Sequence, residues 1–251
     1  MNKRLMFSAA FVMALLSANA QKRAFTIEDL YRVKGVSSVS LSPDGKTVCY
    51  TASSSDLKNQ KSGSDIYIMN ADGSHTKALT EDGKSSSAVW SKDGKSIFFT
   101  NYEKGTAQIF RMDLTTCETE QVTDYELGIG SPVISPDERY IAFTAEVYPD
   151  LGADAKANKA RMEKKEQGPV QAHIADKLLY RHWTSYNDGR CNHLILFDTQ
   201  TKTYKDLTPG NYSLIFVVGG GITYQFSPDS KEICFVSNHD EHQEASTNAD
   251  L

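Results

Sequence analysis

The side chains with the greatest chemical reach lie near the end of the sequence. His239-Asp240-Glu241-His242-Gln243-Glu244 sets two imidazoles and three carboxylates within six positions. Zinc peptidases use H-E-x-x-H on a helix, which turns both histidines to one face. The motif here is different and no helix signal surrounds it, so a polar loop is the better reading and no metal ligand is assigned. Acyl transfer by a serine calls for a G-x-S-x-G elbow between a strand and a helix. The sequence contains none, and its Gly-rich string, Gly219-Gly220-Gly221, holds no serine. No catalytic residue is therefore assigned. Arg181-His182-Trp183 combines a cation, an imidazole and an indole. Such a triplet either packs and hydrogen-bonds locally or shapes a cavity.

Any such site must be carried by a scaffold, and the scaffold is a repeat. One phrase occurs four times: Ser42-Pro43-Asp44-Gly45-Lys46, Ser91-Lys92-Asp93-Gly94-Lys95, Ser135-Pro136-Asp137-Glu138-Arg139 and Ser227-Pro228-Asp229-Ser230-Lys231. Proline presets φ for a turn, aspartate bonds nearby backbone N–H groups, and Asp-Gly is a strong hairpin signal. An apolar run follows each turn: Val48-Cys49-Tyr50, Ile97-Phe98-Phe99, Ile141-Ala142-Phe143 and Ile233-Cys234-Phe235. Alternation would bury one face of a strand, whereas a continuous run says that both faces are covered. Further strands follow, such as Gln108–Asp113 and His193–Asp198, and then short ones ending in Leu79-Thr80, Val122-Thr123 and Leu207-Thr208. A period of about 45 residues of this kind is the size of a β-propeller blade. A β-sandwich of hairpins is the alternative, but it gives no reason to repeat one phrase. The expected fold is all-β, an incomplete β-propeller of about four four-stranded antiparallel blades.

The aspartates are spaced by 49, 44 and 92 residues, so the third blade contains an insertion. Residues 152–167 are Ala-rich and charged without β-branched residues, which favours helix, and Gly168-Pro169 stops it. A second short helix is expected over 170–180, packing through Ile174, Leu178 and Leu179; the whole helical insertion runs over about 150–181. Cys49 and Cys234 share one column of the repeat on separated blades, too far apart to bridge. Both are read as small core residues, while a Cys117–Cys191 bridge stays open. After the fourth phrase only a polar tail remains. The expectation is a truncated product or fragment, spanning 21–251, whose fourth blade lacks its outer strands.

Lys3-Arg4, the uncharged run Leu5–Leu16 and Ala18-Asn19-Ala20 form the three regions of a secretory signal over residues 1–20. The apolar run is too short to cross a bilayer, which takes about 20 residues. Periplasmic or secreted localisation follows, with no membrane association once the signal is removed. Acidic residues outnumber Lys and Arg by 32 to 27, which leaves no electrostatic footprint for nucleic acid. A hydrophobic content of 39% excludes a disordered tail.

The repeated phrase resembles that of TolB-type propellers and of the prolyl oligopeptidase family of serine peptidases. The order of Phe25–Leu30, the repeats, Glu146-Val147-Tyr148-Pro149-Asp150, the insertion, Tyr180–Trp183, Asp188-Gly189-Arg190 and His193-Leu194 is similar to the N-terminal half of dipeptidyl peptidase V and acylaminoacyl-peptidase-like enzymes. In that family the propeller caps a C-terminal α/β-hydrolase domain that carries the catalytic triad, a domain absent from this sequence. The resemblance implies short peptides as substrates, no cofactor, and a propeller portion that gates access but is inert alone. It leaves a homo-oligomeric parent open. It also implies acids reaching from the propeller to the substrate's free α-amine. Glu146 is the candidate, with Glu163 and Glu166 behind it, and Arg181, His182 and Trp183 would shape the cavity facing the catalytic domain. A non-enzymatic TolB-like propeller that binds another protein is the alternative.

Overall fold

The structure is a computed structural model that describes residues 23–103, 105–175, 178, 180–214 and 223–251. The expected signal and the Gly219–Gly221 string lie outside these residues. Among them, no helix is long and apolar enough to cross a membrane. The chain divides into two units. The smaller contains residues 23–35 and 54–62 among those described, and includes helix α1 (Ile27–Arg32). The Asp29 carboxylate accepts both terminal nitrogens of Arg23 and, at 2.9 Å, the Thr26 N–H. The Arg23 guanidinium and the Thr26 N–H hold that carboxyl well below the usual carboxylate range.

The larger unit, residues 36–53 and 63–251, carries the repeat. Its first sheet runs β1 (Gly35–Leu41), β2 (Thr47–Asp56), β3 (Lys61–Asn70), β4 (Lys77–Ala78). The second runs β5 (Ser85–Trp90), β6 (Ser96–Asn101), β7 (Gln108–Asp113), β8 (Thr119–Gln121), antiparallel throughout. The third begins with β9 (Gly130–Ile134) and β10 (Tyr140–Val147). It is interrupted by helix α2 (Ala155–Glu166) and the hairpin of β11 (Arg181–His182) and β12 (Ser185–Tyr186), and is completed by β13 (Cys191–Asp198) and β14 (Thr203–Asp206). The fourth shows β15 (Tyr224–Phe226) paired with β16 (Ile233–Phe235). This is an all-β, incomplete propeller with three four-stranded blades, a two-stranded fourth among the described residues, and the expected insertion in the third.

The apolar runs divide between blade interfaces as strand geometry requires, since successive side chains point to opposite faces. Ile97 and Phe99 join Cys49 and Ile66 of the first blade, while Phe98 joins Ile141 and Phe143 of the third. Ala142 turns the other way, to Leu194, Tyr224 and Phe226. Every blade in the middle of the series is therefore sealed on both faces, and the sandwich alternative is excluded.

The four turns share one hydrogen-bond pattern. Ser42, Ser91, Ser135 and Ser227 each donate Oγ–H to the aspartate two residues on, at 2.6–2.7 Å. The same Oγ accepts the backbone N–H five residues on, at 2.8–3.0 Å. Gly45, Gly94, Glu138 and Ser230 occupy one left-handed position with φ of 61–72°. A side chain there is strained, and in two blades it makes a contact. Glu138 Oε1 accepts the Lys92 N–H of the preceding blade, and Ser230 Oγ accepts the Asp137 N–H at 3.0 Å. At Gly94 an added Cβ would sit 3.5 Å from Pro43 Cδ, again on the preceding turn.

A second column clamps each blade's exit. Thr80, Thr123 and Thr208 accept the N–H of Ile66, Ile109 and Leu194, each at 2.9 Å. The residue preceding each of those strand positions holds the departing loop. Asp65 accepts the Gly83 N–H at 3.0 Å, and Gln108 exchanges two bonds with the Tyr125 backbone. His193, fully buried, has Nδ1 at 2.8 Å from Asp206 Oδ2 and Nε2 at 2.9 Å from the Gly210 carbonyl. Both nitrogens face acceptors, so the geometry suits an imidazolium that donates twice. Burial alone would lower the His193 pKa, but Asp206, Cys191 and the Gly210 carbonyl outweigh it and raise it to about 9.

Two expectations are corrected, for Cys234 and for residues 170–180, and the open question of Cys117 and Cys191 is answered. Cys234 is exposed, unlike Cys49, whose thiol burial pushes up to about 12; no sheet covers its face of β16 among the described residues. Cys117 and Cys191 are free thiols, not a bridge. The described part of 170–180 is not helical, and two of its expected packing residues face solvent, with Ile174 88% exposed and Leu178 also exposed; Leu179 lies outside the described residues.

Substituting Gly94→Ala is expected to destabilise the protein by ~1 kcal/mol through φ alone, because the new Cβ meets only ordinary contact. Ser91→Ala removes a buried donor and acceptor together and should cost ~1–3 kcal/mol. Urea denaturation midpoints measure both. The raised His193 pKa makes a separate prediction. Stabilisation from the charged ring is complete below the ordinary value of 6.5 and is lost as pH rises through about 9. The urea midpoint should fall across that window, and His193→Gln should flatten the fall; a wild-type profile without it would refute the charged pair.

Candidate functional site

At the insertion in the third blade, polar side chains from several elements converge on a large opening. Helix α2 starts at Asp154, whose carboxylate accepts the Ala157 N–H at 2.9 Å. Asn158, fully buried, fixes it to the end of β10. Its Oδ1 accepts the Tyr148 N–H at 2.6 Å, and its Nδ2 donates to the Gly152 and Asp154 carbonyls at 3.0 and 2.8 Å. Arg161 adds a bidentate pair with Asp150, both bonds 2.7 Å, and lies 4.7 Å over the Tyr148 ring. An Ala-rich, charged helix with little apolar surface is thus held mainly by polar bonds at its N-terminal half.

Beyond the helix the chain returns beneath Asp188. That carboxylate lies 2.8 Å from His173 Nδ1 and 3.0 Å from Lys165 Nζ. Burial pushes Asp188 up, but the bonds from His173 and Lys165 outweigh it and leave its pKa lowered. The His173 ring stacks on Tyr186 at 3.7 Å with 3° between planes. Arg190 sits at the centre of the return. It donates to the Asn187 and Tyr186 carbonyls at 3.1 and 3.0 Å and pairs with Glu146 at 2.8 Å.

These residues border an open cleft of about 1010 Å³. His173, Tyr186, Asp188 and Arg190 form one wall; Tyr212 and the 239–243 segment form the other. The His239–Glu244 run is a loop ending in a 3-10 turn (Gln243–Ala245), as expected from sequence, and contributes the second wall. The Tyr212 and His239 rings lie 4.2 Å apart. Among the described residues, no group of three or more His, Cys, Asp or Glu is gathered to hold a metal.

The expected site residues are brought together only in part. Glu146 is on β10, opposite Asn192 in register, and its carboxyl reaches the cleft wall through Arg190. The Glu146 side chain remains 57% exposed beside that pair. Arg181 stacks over Tyr186 at 5.8 Å. His182 pairs with Ser185 through the backbone of the hairpin. Trp183 forms the hairpin tip with φ 47°, is 84% exposed and is not among the residues that line the cleft. Glu163 and Glu166 lie on exposed positions of α2. The sequence assigned no role to His173, Tyr186, Asp188 or Arg190, although Asp188-Gly189-Arg190 was among the segments that carry the family resemblance. The ion pairs that join them to each other, to Lys165 and to Glu146 span 15–44 positions, and no spacing rule announces them.

The TolB β-propeller domain family, PD40, matches residues 18–167. Dipeptidyl-peptidase 5 of Porphyromonas gingivalis is 29% identical over 207 residues, covering 80% of this chain and 29% of that protein. The uncharacterized peptidase YuxL of Bacillus subtilis is 25% identical over 233 residues, covering 92% of this chain and 34% of that one. The chain thus spans about a third of the length of these curated relatives. In fold, it is similar to an acylaminoacyl peptidase in complex with Z-Gly-Gly-Phe-chloromethyl ketone, with a TM-score of 0.59, 17% identity, and coverage of 85% of this chain and 29% of that one. The uncomplexed Pyrococcus horikoshii acylaminoacyl peptidase gives a TM-score of 0.57, again at 17% identity, over 84% of this chain and 29% of that one. By the family match over more than half its length and by its blades, this chain belongs to the TolB β-propeller domain family.

Proposed function

We propose that the chain is the substrate-gating propeller portion of an exported serine dipeptidyl peptidase or related oligopeptidase, acting on short peptides. The observation that carries this reading is the interruption of the third blade. A helix and a hairpin there set carboxylates and aromatic rings around an open cleft, in a sequence that matches dipeptidyl-peptidase 5 over 80% of its length. Glu146 receives the peptide's α-ammonium beside Arg190, because a charge-assisted bond from an ammonium to a carboxylate is stronger than one between neutral groups. Arg181, His182 and Trp183 line the approach. The catalytic triad belongs to a hydrolase domain outside this sequence, so the chain by itself orients and admits peptides without cleaving them. The signal-like N-terminus supports a periplasmic or secreted location.

The purified chain should give no turnover of dipeptidyl chromogenic substrates, and measurable hydrolysis would overturn its assignment as a gating portion. In calorimetric titrations a free dipeptide should bind more tightly than its N-acetylated form. Glu146→Gln should weaken the free dipeptide about tenfold, the equivalent of ~1.4 kcal/mol, and leave the acetylated one unchanged. Equal binding of the two forms would favour a TolB-like module that binds another protein.

A further inference from the structure

Two tyrosine rings lie on opposite walls of the cleft and belong to no blade core. Tyr186 and Tyr212 are both half-buried, and neither joins the described apolar clusters that hold the blades together. Arg190 ties the first of them to the candidate carboxylate. Its Nη2 donates to the Tyr186 carbonyl at 3.0 Å, while its Nη1 lies 2.8 Å from Glu146 Oε2. A planar guanidinium holds its donors in a fixed fork, so one rigid group sets the spacing between the Glu146 carboxylate and the Tyr186 backbone. The His173 ring, stacked on Tyr186, and the Tyr180 ring, 6.2 Å away, extend the same aromatic wall.

The sequence makes room for the second ring. Tyr212 comes two residues after Gly210. Gly210 has φ 147°, a conformation that favours glycine, and a Cβ there would sit 2.5 Å from Tyr212 Cε1. The ring therefore lies against the Gly210 backbone in space that a larger residue would take. That backbone is itself fixed. The Gly210 carbonyl bonds to Nε2 of the buried His193 at 2.9 Å, and the Tyr212 ring lies 6.4 Å from that imidazole. Tyr212 is thus seated on the exit clamp of the third blade, and it lines the cleft from there.

We propose that the cleft selects peptides whose N-terminal residue carries an aromatic side chain, which packs against Tyr186 and Tyr212. The inference rests on the reading of Glu146 as the acceptor of the peptide's α-ammonium. That ammonium and the first side chain share one Cα. A peptide anchored at Glu146 thus presents its N-terminal side chain to the wall that Arg190 joins to the same carboxylate. Ring pairs prefer offset or edge-to-face arrangements, with a gain beyond the area they bury. An aliphatic side chain of equal size fills the same space without that gain. An opening of about 1010 Å³ has room for such a group.

Calorimetric titration of the purified chain with phenylalanyl-alanine and with cyclohexylalanyl-alanine, its saturated counterpart, tests this. The aromatic dipeptide should bind about three- to tenfold more tightly, which is the ring-pairing gain expressed as a ratio. Tyr186→Leu and Tyr212→Leu should each bring that ratio toward one, and Tyr186→Phe and Tyr212→Phe, which keep the ring, should preserve it. A wild-type ratio of one or below overturns the proposal whatever the variants do, and so does a ratio that both leucine variants retain. The N-acetylated pair separates this inference from the reading beneath it. Weaker binding on acetylation without an aromatic preference would keep Glu146 as the amine site and overturn the aromatic selection. An aromatic preference with no loss on acetylation would uphold the selection and remove Glu146 from the amine site.

Discussion

The structure depends on one constraint: a strand whose consecutive side chains are all apolar cannot leave either face in water. Ile97, Phe98 and Phe99 go to alternate sides of their sheet, and so do Ile141, Ala142 and Phe143. Each blade therefore needs a neighbour in front and another behind. Stacking is a condition of burial and not a later docking of finished domains. The same constraint explains why a cysteine is inert in the first blade and exposed in the fourth. Cys49 has a following sheet to lie against, and Cys234 has none among the described residues.

Hydrogen bonds set the register of this stack. The turn serine gives its proton to the aspartate and takes a backbone N–H in return, so both side chains are used within the turn. The left-handed residue at its tip costs backbone strain when it is not glycine. Glu138 and Ser230 offset that strain with bonds to the turn of the blade before. Departure from the Asp-Gly consensus thus coincides with a contact between blades. The exit clamp tolerates different chemistry in the same way. Aspartate, glutamine and a buried histidine in one column all secure the chain as it leaves.

The third blade shows how a repeat accommodates an insertion. β10 and β13 pair in unbroken register from Tyr140–Asp198 to Val147–Cys191, although the segment between them holds a helix and a hairpin. Asn158 and the Asp150–Arg161 pair close the excursion at its base. What lies beyond that base is free to vary without disturbing the sheet, and the cleft is built there.

The sequence alone determined the blade. Turn chemistry and a period of strands are local, and the doubled spacing between Asp137 and Asp229 placed the insertion within one blade. It also indicated helix over 152–167, where Ala155–Glu166 is helical, because that composition has a local preference. The packing helix expected over 170–180 failed because amphipathic spacing at Ile174 and Leu178 says nothing of whether a surface is there to receive it. The candidate site was legible at Glu146 and in the Arg181–Trp183 stretch only as residue types. Tertiary structure decided that Glu146 pairs with Arg190, that Asp188 gathers Lys165 and His173, and that the histidine-rich loop near the C-terminus forms the facing wall. Such contacts join positions far apart in the chain, and their geometry exists only after the blades have stacked.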